Sequence, residues 1–256
     1  MRIALPFACL IAFATPLAAR DLPPGLASAR LLPGWTDANG NRVAALELRL
    51  EPGWKTYWRM PGDSGLPPRF DWEASSNLDQ IAYHWPAPEA IRSGDALTMG
   101  YHDALVLPLT ATPVDRDHPI DLKLTIDFGL CEKICVPAHL ELTAPPVGTA
   151  PDAVIEAALI KEPQPVSDQP ACRLTDIEDG VQVALTLPQS DVTAAALELD
   201  DAPDVWVSGT EIEGGHAHAD FVGPTGAPFD LDTDKLRLTV LSPDGAVEMR
   251  GCAPQG

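Results

Sequence analysis

The chain has 256 residues, of which 45% are hydrophobic and 21% are charged, enough apolar material for one large globular domain or two smaller ones. Its formal net charge of −20 argues against nucleic acid as a partner, because phosphate contacts require a basic surface. The same acidity favours a soluble monomer, and the 27 prolines favour a β-rich fold with many turns.

The N-terminus has the pattern of a secretory signal peptide covering residues 1–19. Arg2 supplies the positive charge, residues 3–14 form a short apolar run, and small residues lead to a predicted cleavage after Ala19. Cys9 lies inside the apolar run, too early for a lipoprotein site. No later segment is long enough to span a bilayer, so we expect a soluble periplasmic protein. Export removes Cys9 and leaves an even number of cysteines, which predicts disulfides: Cys131, Cys135, Cys172 and Cys252.

Apolar and polar residues alternate with a period of two in several short segments. This period places the apolar side chains on one face of a strand, and clusters of Gly, Pro, Asn and Asp separate the segments. Many short strands with such turns predict antiparallel β-sandwiches. The alternating segments are residues 46–50, 120–128, 181–187 and 236–240.

Cys131 and Cys135 follow the strand predicted for residues 120–128, so a turn after that strand could present both thiols. Lys133 would stabilise a thiolate between them, while Glu132 would oppose it. The spacing of three residues is also compatible with a plain structural disulfide. A redox pair and a structural bridge therefore both remain open on the spacing alone.

A metal site is the competing interpretation of the same residues. Cys131, Cys135 and His139 fall at steps of four, which would align two thiolates and an imidazole on a helix and could hold copper(I) or zinc. Proline at position 137 argues against a continuous helix there, and no metal or other cofactor is expected. His216 and His218 lie two residues apart and are interpreted as an exposed strand face.

A domain boundary is predicted near residues 149–170. Residues 151–161 have the composition of a short helix, and residues 162–170 resemble a linker. Residues 20–148 would then form the first domain and residues 171–256 a second, smaller β-sandwich.

Cys172 and Cys252 stand near the two ends of the second domain, and a bridge between them would close a long loop. Closing it would stabilise the fold by about 4–5 kcal/mol, against about 2 kcal/mol for the Cys131–Cys135 loop. This contrast favours a structural role for Cys172–Cys252 and exchange chemistry for Cys131–Cys135.

An ordered set of motifs precedes the CEKICVP segment at residues 131–137. Residues 53–68 (GWKTYWRMPGDSGLPP) are the most distinctive, and the later motifs are FDW at 70–72, WPAP at 85–88, GY at 100–101 and LPL at 107–109. In this order, over residues 30–145, the chain resembles the N-terminal periplasmic domain of the thiol:disulfide interchange protein DsbD, and in particular its ScsB-like relatives.

The resemblance implies an immunoglobulin-like sandwich in which Cys135 bonds the partner and Cys131 resolves the mixed disulfide. It further implies that residues 54–68 shield the pair as a cap, with Tyr57, Asp63 and Tyr101 near the thiols. Electrons would come from a membrane-embedded donor and pass to thioredoxin-like periplasmic proteins. We therefore expect a thiol:disulfide oxidoreductase of the protein-disulfide reductase type.

Unlike full-length relatives, these 256 residues are expected to include neither an electron-carrying membrane segment nor a thioredoxin-like domain. A separate membrane protein would have to supply the electrons. The alternative is a copper- or zinc-binding module, or a non-catalytic protein-interaction module of the periplasm.

Overall fold

The computed structural model of the protein describes residues 22–94, 96–188 and 191–254. The predicted signal peptide, residues 1–19, and Cys9 within it lie outside the described residues. In the part of the chain that is described, no helix is long and apolar enough to cross a membrane. The described residues form twenty strands and a single α-helix, so the predicted all-β class is confirmed.

Ten antiparallel strands build the first domain as two sheets. These strands are β1 (Leu26–Thr36), β2 (Arg42–Leu50), β3 (Lys55–Tyr57), β4 (Arg69–Asp71), β5 (Leu78–Tyr83), β6 (Glu89–Ser93), β7 (Ala96–His102), β8 (Ala104–Pro113), β9 (Lys123–Cys131) and β10 (Cys135–Thr143). One sheet has the order β1-β2-β8-β5, and the other has the order β10-β9-β3-β7-β6 with β4 also paired to β9. The second sheet carries the cysteine pair.

Strand β9 explains how the cysteine pair joins the sheet. Its side chains at Leu124, Ile126 and Phe128 are buried in the core, as the alternation predicts. The strand does not end at Phe128 as expected but continues through Gly129 to Cys131. Residues 128–131 are all buried, so both faces are covered there and the alternation that marks a half-exposed strand is absent. Cys131 is therefore part of the sheet and not of a loop.

The predicted helix is present as α1 (Ala153–Leu159). The side chain of Asp152 caps it by accepting hydrogen bonds from the backbone N–H groups of Val154 (2.8 Å) and Ile155 (3.4 Å). Ile155 is fully buried and packs in a small cluster with residues of β1 and β2. The helix therefore belongs to the outer side of the first domain.

The second domain is also a pair of sheets. Its strands are β11 (Gln164–Val166), β12 (Ala171–Ile177), β13 (Gly180–Thr186), β14 (Ala194–Leu199), β15 (Trp206–Val207), β16 (Glu211–Glu213), β17 (His216–Val222), β18 (Leu236–Ser242), β19 (Gly245–Arg250) and β20 (Ala253–Pro254). The sheet orders are β11-β19-β18-β14 and β15-β17-β13-β12-β20, with β16 paired to β17. The alternating segments predicted at 181–187 and 236–240 correspond to β13 and β18.

The segment expected to be a linker contributes strand β11 to the second domain. Gln164–Val166 pair in parallel with Val247, Glu248 and Met249 of β19. Three residues that include a proline show no alternation and lack one backbone donor, so this pairing has no local signal in the sequence. The chain thus enters the second domain before residue 171.

The two domains share hydrophobic contacts. Ala194 and Ala196 of β14 and Leu241 of β18 belong to the same buried cluster as Trp58 and Met99 of the first domain. Alanine side chains let the two surfaces approach closely. The interface is therefore a continuation of the first domain's core.

A disulfide between Cys172 and Cys252 ties the first and last parts of the second domain together. Both half-cystines are buried, at 2% and 3% exposure. The bond lies where β12 pairs in parallel with β20, so it fixes the chain terminus against the domain's opening strand.

Removal of this bridge in a Cys172→Ala/Cys252→Ala variant is expected to lower the free energy of unfolding by about 4 kcal/mol, because an 80-residue separation closes a long loop. The matched Cys131→Ala/Cys135→Ala variant should lose only about 2 kcal/mol, because its loop is short. Urea unfolding of both variants measures the difference. Equal losses would contradict the assignment of Cys172–Cys252 as the stabilising bridge.

Candidate functional site

Cys131 and Cys135 occupy the facing ends of a β-hairpin. Cys131 is the last residue of β9 and Cys135 the first of β10, and the two are register partners across the antiparallel pair. A disulfide joins them. The three residues between them form an exposed turn, so the bond lies at the end of the sheet where another protein can approach it.

The two cysteines differ in exposure. Cys131 is buried, with 2% of its surface accessible, whereas Cys135 is exposed. A thiolate that attacks a disulfide must approach one sulfur along the S–S axis, and the exposed sulfur is the accessible target. Attack at Cys135 expels Cys131 as the leaving thiolate.

The hydroxyl of Tyr57 on β3 lies within hydrogen-bond distance of both sulfurs and has one hydrogen to donate between them. Its hydroxyl oxygen lies 2.8 Å from Cys131 Sγ and 3.1 Å from Cys135 Sγ. Disulfide sulfurs carry no hydrogen, so the hydroxyl is the donor. A thiolate is a far stronger acceptor than a disulfide sulfur, so this contact strengthens when the bond between the cysteines is opened.

The ring of Tyr57 is held between two glycines. A Cβ atom on Gly129 would lie 2.8 Å from the ring, and one on Gly65 would lie 3.0 Å from it. Any larger residue at position 129 would therefore push the ring away from the sulfurs. Close packing of this kind fixes the hydroxyl position, and Tyr57 as a whole is only 2% exposed.

Burial also keeps the Tyr57 hydroxyl protonated. Desolvation raises the pKa of Tyr57 above its ordinary value, because the charged phenolate is disfavoured away from water. A tyrosine is already protonated at neutral pH, and burial extends the range in which this hydroxyl is a donor further into alkaline pH. A neutral donor next to Cys131 lowers the free energy of the leaving thiolate.

A cap segment, defined here as residues 58–68, covers this part of the sheet. It links β3 to β4, and both of these strands pair with β9: Lys55 lies opposite Cys131, and Arg69 lies opposite Asp127. The chain thus leaves β9 at the end of β3, passes over Gly129 as the cap segment, and pairs with β9 again at β4. Leu66 approaches Gly129 and is half-exposed beside the cysteine pair.

Of the other three residues singled out in the sequence, Asp63 and Tyr101 have their hydrogen-bond partners elsewhere, and Lys133 is exposed. The Asp63 carboxylate accepts a hydrogen bond from the backbone N–H of Gly209 in the second domain, at 2.5 Å. Tyr101 pairs with Thr56 and therefore lies on the core face of the sheet, where its hydroxyl donates to the Pro86 carbonyl at 2.7 Å. Lys133 is exposed in the turn between the cysteines.

The histidines do not assemble with the cysteines. His139 lies four residues along β10 from Cys135, which corresponds to about 13 Å on a strand, and its Nδ1 is 2.7 Å from Asp127 Oδ1. The helix face on which the metal interpretation depended is absent here. His216 and His218 share one face of β17 with their rings 6.0 Å apart. Over the described ranges, no three His, Cys, Asp or Glu side chains are arranged to hold a metal ion.

Lys55 is a site residue that the sequence analysis missed. It lies directly opposite Cys131 in register, is 8% exposed, and its Nζ donates to Thr98 Oγ1 at 3.2 Å. Burial lowers its pKa. Lys55 and Tyr57 are two residues apart on a strand, so alternation indicates that they share a face, and the pairing of Lys55 with Cys131 shows that this is the face of the cysteine.

Comparisons with known proteins show what the chain and its fold are similar to. Residues 28–146 match the family described as "Thiol:disulfide interchange protein DsbD, N-terminal". The fold is similar to the crystal structure of the N-terminal periplasmic domain of ScsB from Proteus mirabilis, with a TM-score of 0.62 and 22% identity, over 89% of this chain and 92% of that one. A comparison with curated proteins gives no match. The resemblance seen in the sequence is confirmed, and the shared fold extends over both domains.

Replacing Tyr57 by Phe keeps the ring and removes the hydroxyl. We expect the reduction potential of Cys131–Cys135 to fall by about 30–60 mV, because the reduced form loses a hydrogen bond to a charged acceptor worth about 1.5–3 kcal/mol. Equilibration with glutathione followed by alkylation and mass spectrometry measures the potential. The matched control is Tyr83→Phe. Among the described residues, the Tyr83 hydroxyl has one hydrogen-bond partner, Trp72 Nε1, and this contact lies away from the cysteines. An unchanged potential in Tyr57→Phe would contradict a role for the hydroxyl.

The three tyrosines of the chain give a pH-dependent signature. Burial raises the pKa of each, to about 12 for Tyr83, so the folded protein favours the neutral phenols. Their contribution to stability is present below the unfolded-state pKa of about 10 and is lost as the pH rises through the folded-state values. Phenolate absorbance should therefore develop at higher pH in the folded protein than in urea. Coincident titration curves would show that the rings are not buried in solution.

Proposed function

We propose, from the premise that residues 28–146 form a thiol–disulfide interchange domain of the DsbD N-terminal type, that the protein relays electrons in the periplasm through Cys131 and Cys135. The donor is a membrane-embedded protein of the DsbD/ScsB type, and the acceptors are thioredoxin-like periplasmic proteins. The activity is that of a thiol:disulfide oxidoreductase which reduces protein disulfides.

One observation carries this proposal: the exposed Cys135 is bonded to a buried Cys131 whose sulfur already has a hydrogen-bond donor at 2.8 Å. A purely structural bridge does not require such a difference between its two halves. Here the difference directs attack to one sulfur and stabilises the other as a thiolate.

Electron delivery begins with the reduced pair. The Cys135 thiolate attacks one sulfur of the acceptor's disulfide, and the acceptor's second sulfur leaves as a thiolate and takes up a proton. The Cys131 thiolate then attacks Cys135 Sγ in the mixed disulfide and releases the first acceptor sulfur, which is also protonated. Two electrons have moved to the acceptor, and Cys131–Cys135 is oxidised.

Re-reduction of the pair uses the same sulfur, Cys135 Sγ, which is now the atom attacked and not the attacking atom. A thiolate of the membrane donor attacks Cys135 Sγ and expels Cys131 as a thiolate, to which the Tyr57 hydroxyl donates. The donor's second thiolate then attacks the donor's first sulfur, which is bonded to Cys135 in the mixed disulfide, and Cys135 leaves as a thiolate. The donor is left with a disulfide, and this protein regains two electrons.

Trapping of the mixed disulfide tests the proposal. In a Cys131→Ser variant the resolving thiolate is absent, so Cys135 should remain bonded to a thioredoxin-like acceptor after incubation with the oxidised acceptor. Non-reducing electrophoresis and mass spectrometry identify the complex.

The Cys135→Ser variant is the matched control and should trap far less complex, because the remaining thiol is buried. Equal trapping by both variants would contradict the direction of attack. Absence of any mixed disulfide from either variant would contradict the exchange function, as would equal resistance of the two disulfides to reduction.

A further inference from the structure

The guanidinium of Arg59, in the cap segment, is clamped by two carboxylates of the second domain. Its Nε lies 2.9 Å from Glu198 Oε1, and its Nη2 lies 2.9 Å from Glu198 Oε2 and 2.7 Å from Glu248 Oε2. The side chains are only 16%, 12% and 16% exposed, respectively. We call these three residues the interdomain clamp. Its bidentate geometry and limited exposure distinguish it from a surface ion pair.

The clamp is supported by a second contact a few residues further along the cap segment. The carboxylate of Asp63 accepts the backbone N–H of Gly209, and the cavity of about 200 Å³ between the domains is lined by this part of the cap and by β14. The second domain therefore holds the cap segment at two points, residues 59 and 63.

The other side of the cap segment packs against Tyr57, the residue whose hydroxyl contacts the sulfurs. Gly65 packs between Pro61 and the ring of Tyr57, and Leu66 lies over Gly129 on the far side of that ring. Pro61 is further fixed by its carbonyl, which accepts the backbone N–H of Met99 at 3.1 Å. A continuous set of contacts thus runs from the second domain through the cap segment to the Tyr57 hydroxyl.

Stability alone is a weak reason for such a clamp. Burying a guanidinium with two carboxylates carries a desolvation cost that can cancel the attraction, and apolar residues of similar size often stabilise an interface as well. What an ion cluster provides is a defined position for the groups that bear the charges. Arg59 also stacks on the ring of Trp58, 4.3 Å from its centroid, which restricts the guanidinium further.

We propose that the second domain positions the exchange site, with Arg59, Glu198 and Glu248 acting as positioning residues that hold the cap segment and so keep the Tyr57 hydroxyl on the Cys131 and Cys135 sulfurs. This inference rests on the proposed function, since it assigns the second domain a part in stabilising the Cys131 thiolate. It predicts energetic coupling between the clamp and Tyr57, although they share no direct contact.

A double-mutant cycle tests the coupling. Glu198→Gln/Glu248→Gln keeps the shape of the clamp and removes its negative charge. We expect the equilibrium constant for reduction of Cys131–Cys135 by glutathione to fall about fivefold, equivalent to about 1 kcal/mol. In a Tyr57→Phe background the same substitutions should produce no further decrease, because the hydroxyl whose position they disturb is absent.

Two comparisons keep the result interpretable. Glu47→Gln removes a carboxylate that is 3% exposed and is paired to Arg30 and Arg49 on the opposite sheet, so it should leave the equilibrium constant unchanged. Arg59→Lys retains the charge and loses the bidentate contact, and should give a smaller decrease than the double glutamine variant. It also serves as the test if the glutamine variant does not fold.

The proposal is overturned if the clamp variants fold and leave the equilibrium constant unchanged, or if their effect is the same with and without the Tyr57 hydroxyl. These measurements use glutathione and need no protein partner. If the clamp and Tyr57 prove to be coupled but neither single-cysteine variant traps an acceptor, the electron relay is refuted and the positioning role is retained.

Discussion

The contact of the Tyr57 hydroxyl with the Cys131 and Cys135 sulfurs is the interaction on which the organisation of the site depends. A short strand, β3, brings the tyrosine beside β9, and a glycine on β9 leaves room for its ring. The cap segment then covers the ring and removes it from water. Each of these features has a packing role, and together they place one neutral donor at the atom where negative charge develops during exchange.

The difference between the two cysteines gives this donor a direction. With Cys131 buried in the sheet and Cys135 exposed at the start of β10, every incoming thiolate meets the same sulfur. Both halves of the proposed relay can then use one docking position. The half-exposed Leu66 and the exposed Ile134 flank this position and offer apolar surface to a partner.

The sequence predicts the all-β architecture well because alternation is a local signal. The strands at 181–187 and 236–240 follow from it, and the helix near 151–161 follows from its residue composition, whereas the strand after Cys135 is not predicted. What the sequence does not reveal depends on non-local pairing. Tyr101 lies opposite Thr56 and so faces the core, β11 exists only because β19 is beside it, and Arg59 meets Glu198 across 139 residues of sequence. No property of these residues alone reveals such partners.

The shared hydrophobic cluster has a consequence for how this fold can be divided. The segment that matches the DsbD N-terminal family ends at residue 146, yet its cluster is completed by Ala194, Ala196 and Leu241. A chain cut between the domains would expose that apolar surface and leave the Arg59 guanidinium without its carboxylates. A boundary drawn at the end of the sequence similarity would therefore cut through a buried cluster to which both sandwiches contribute.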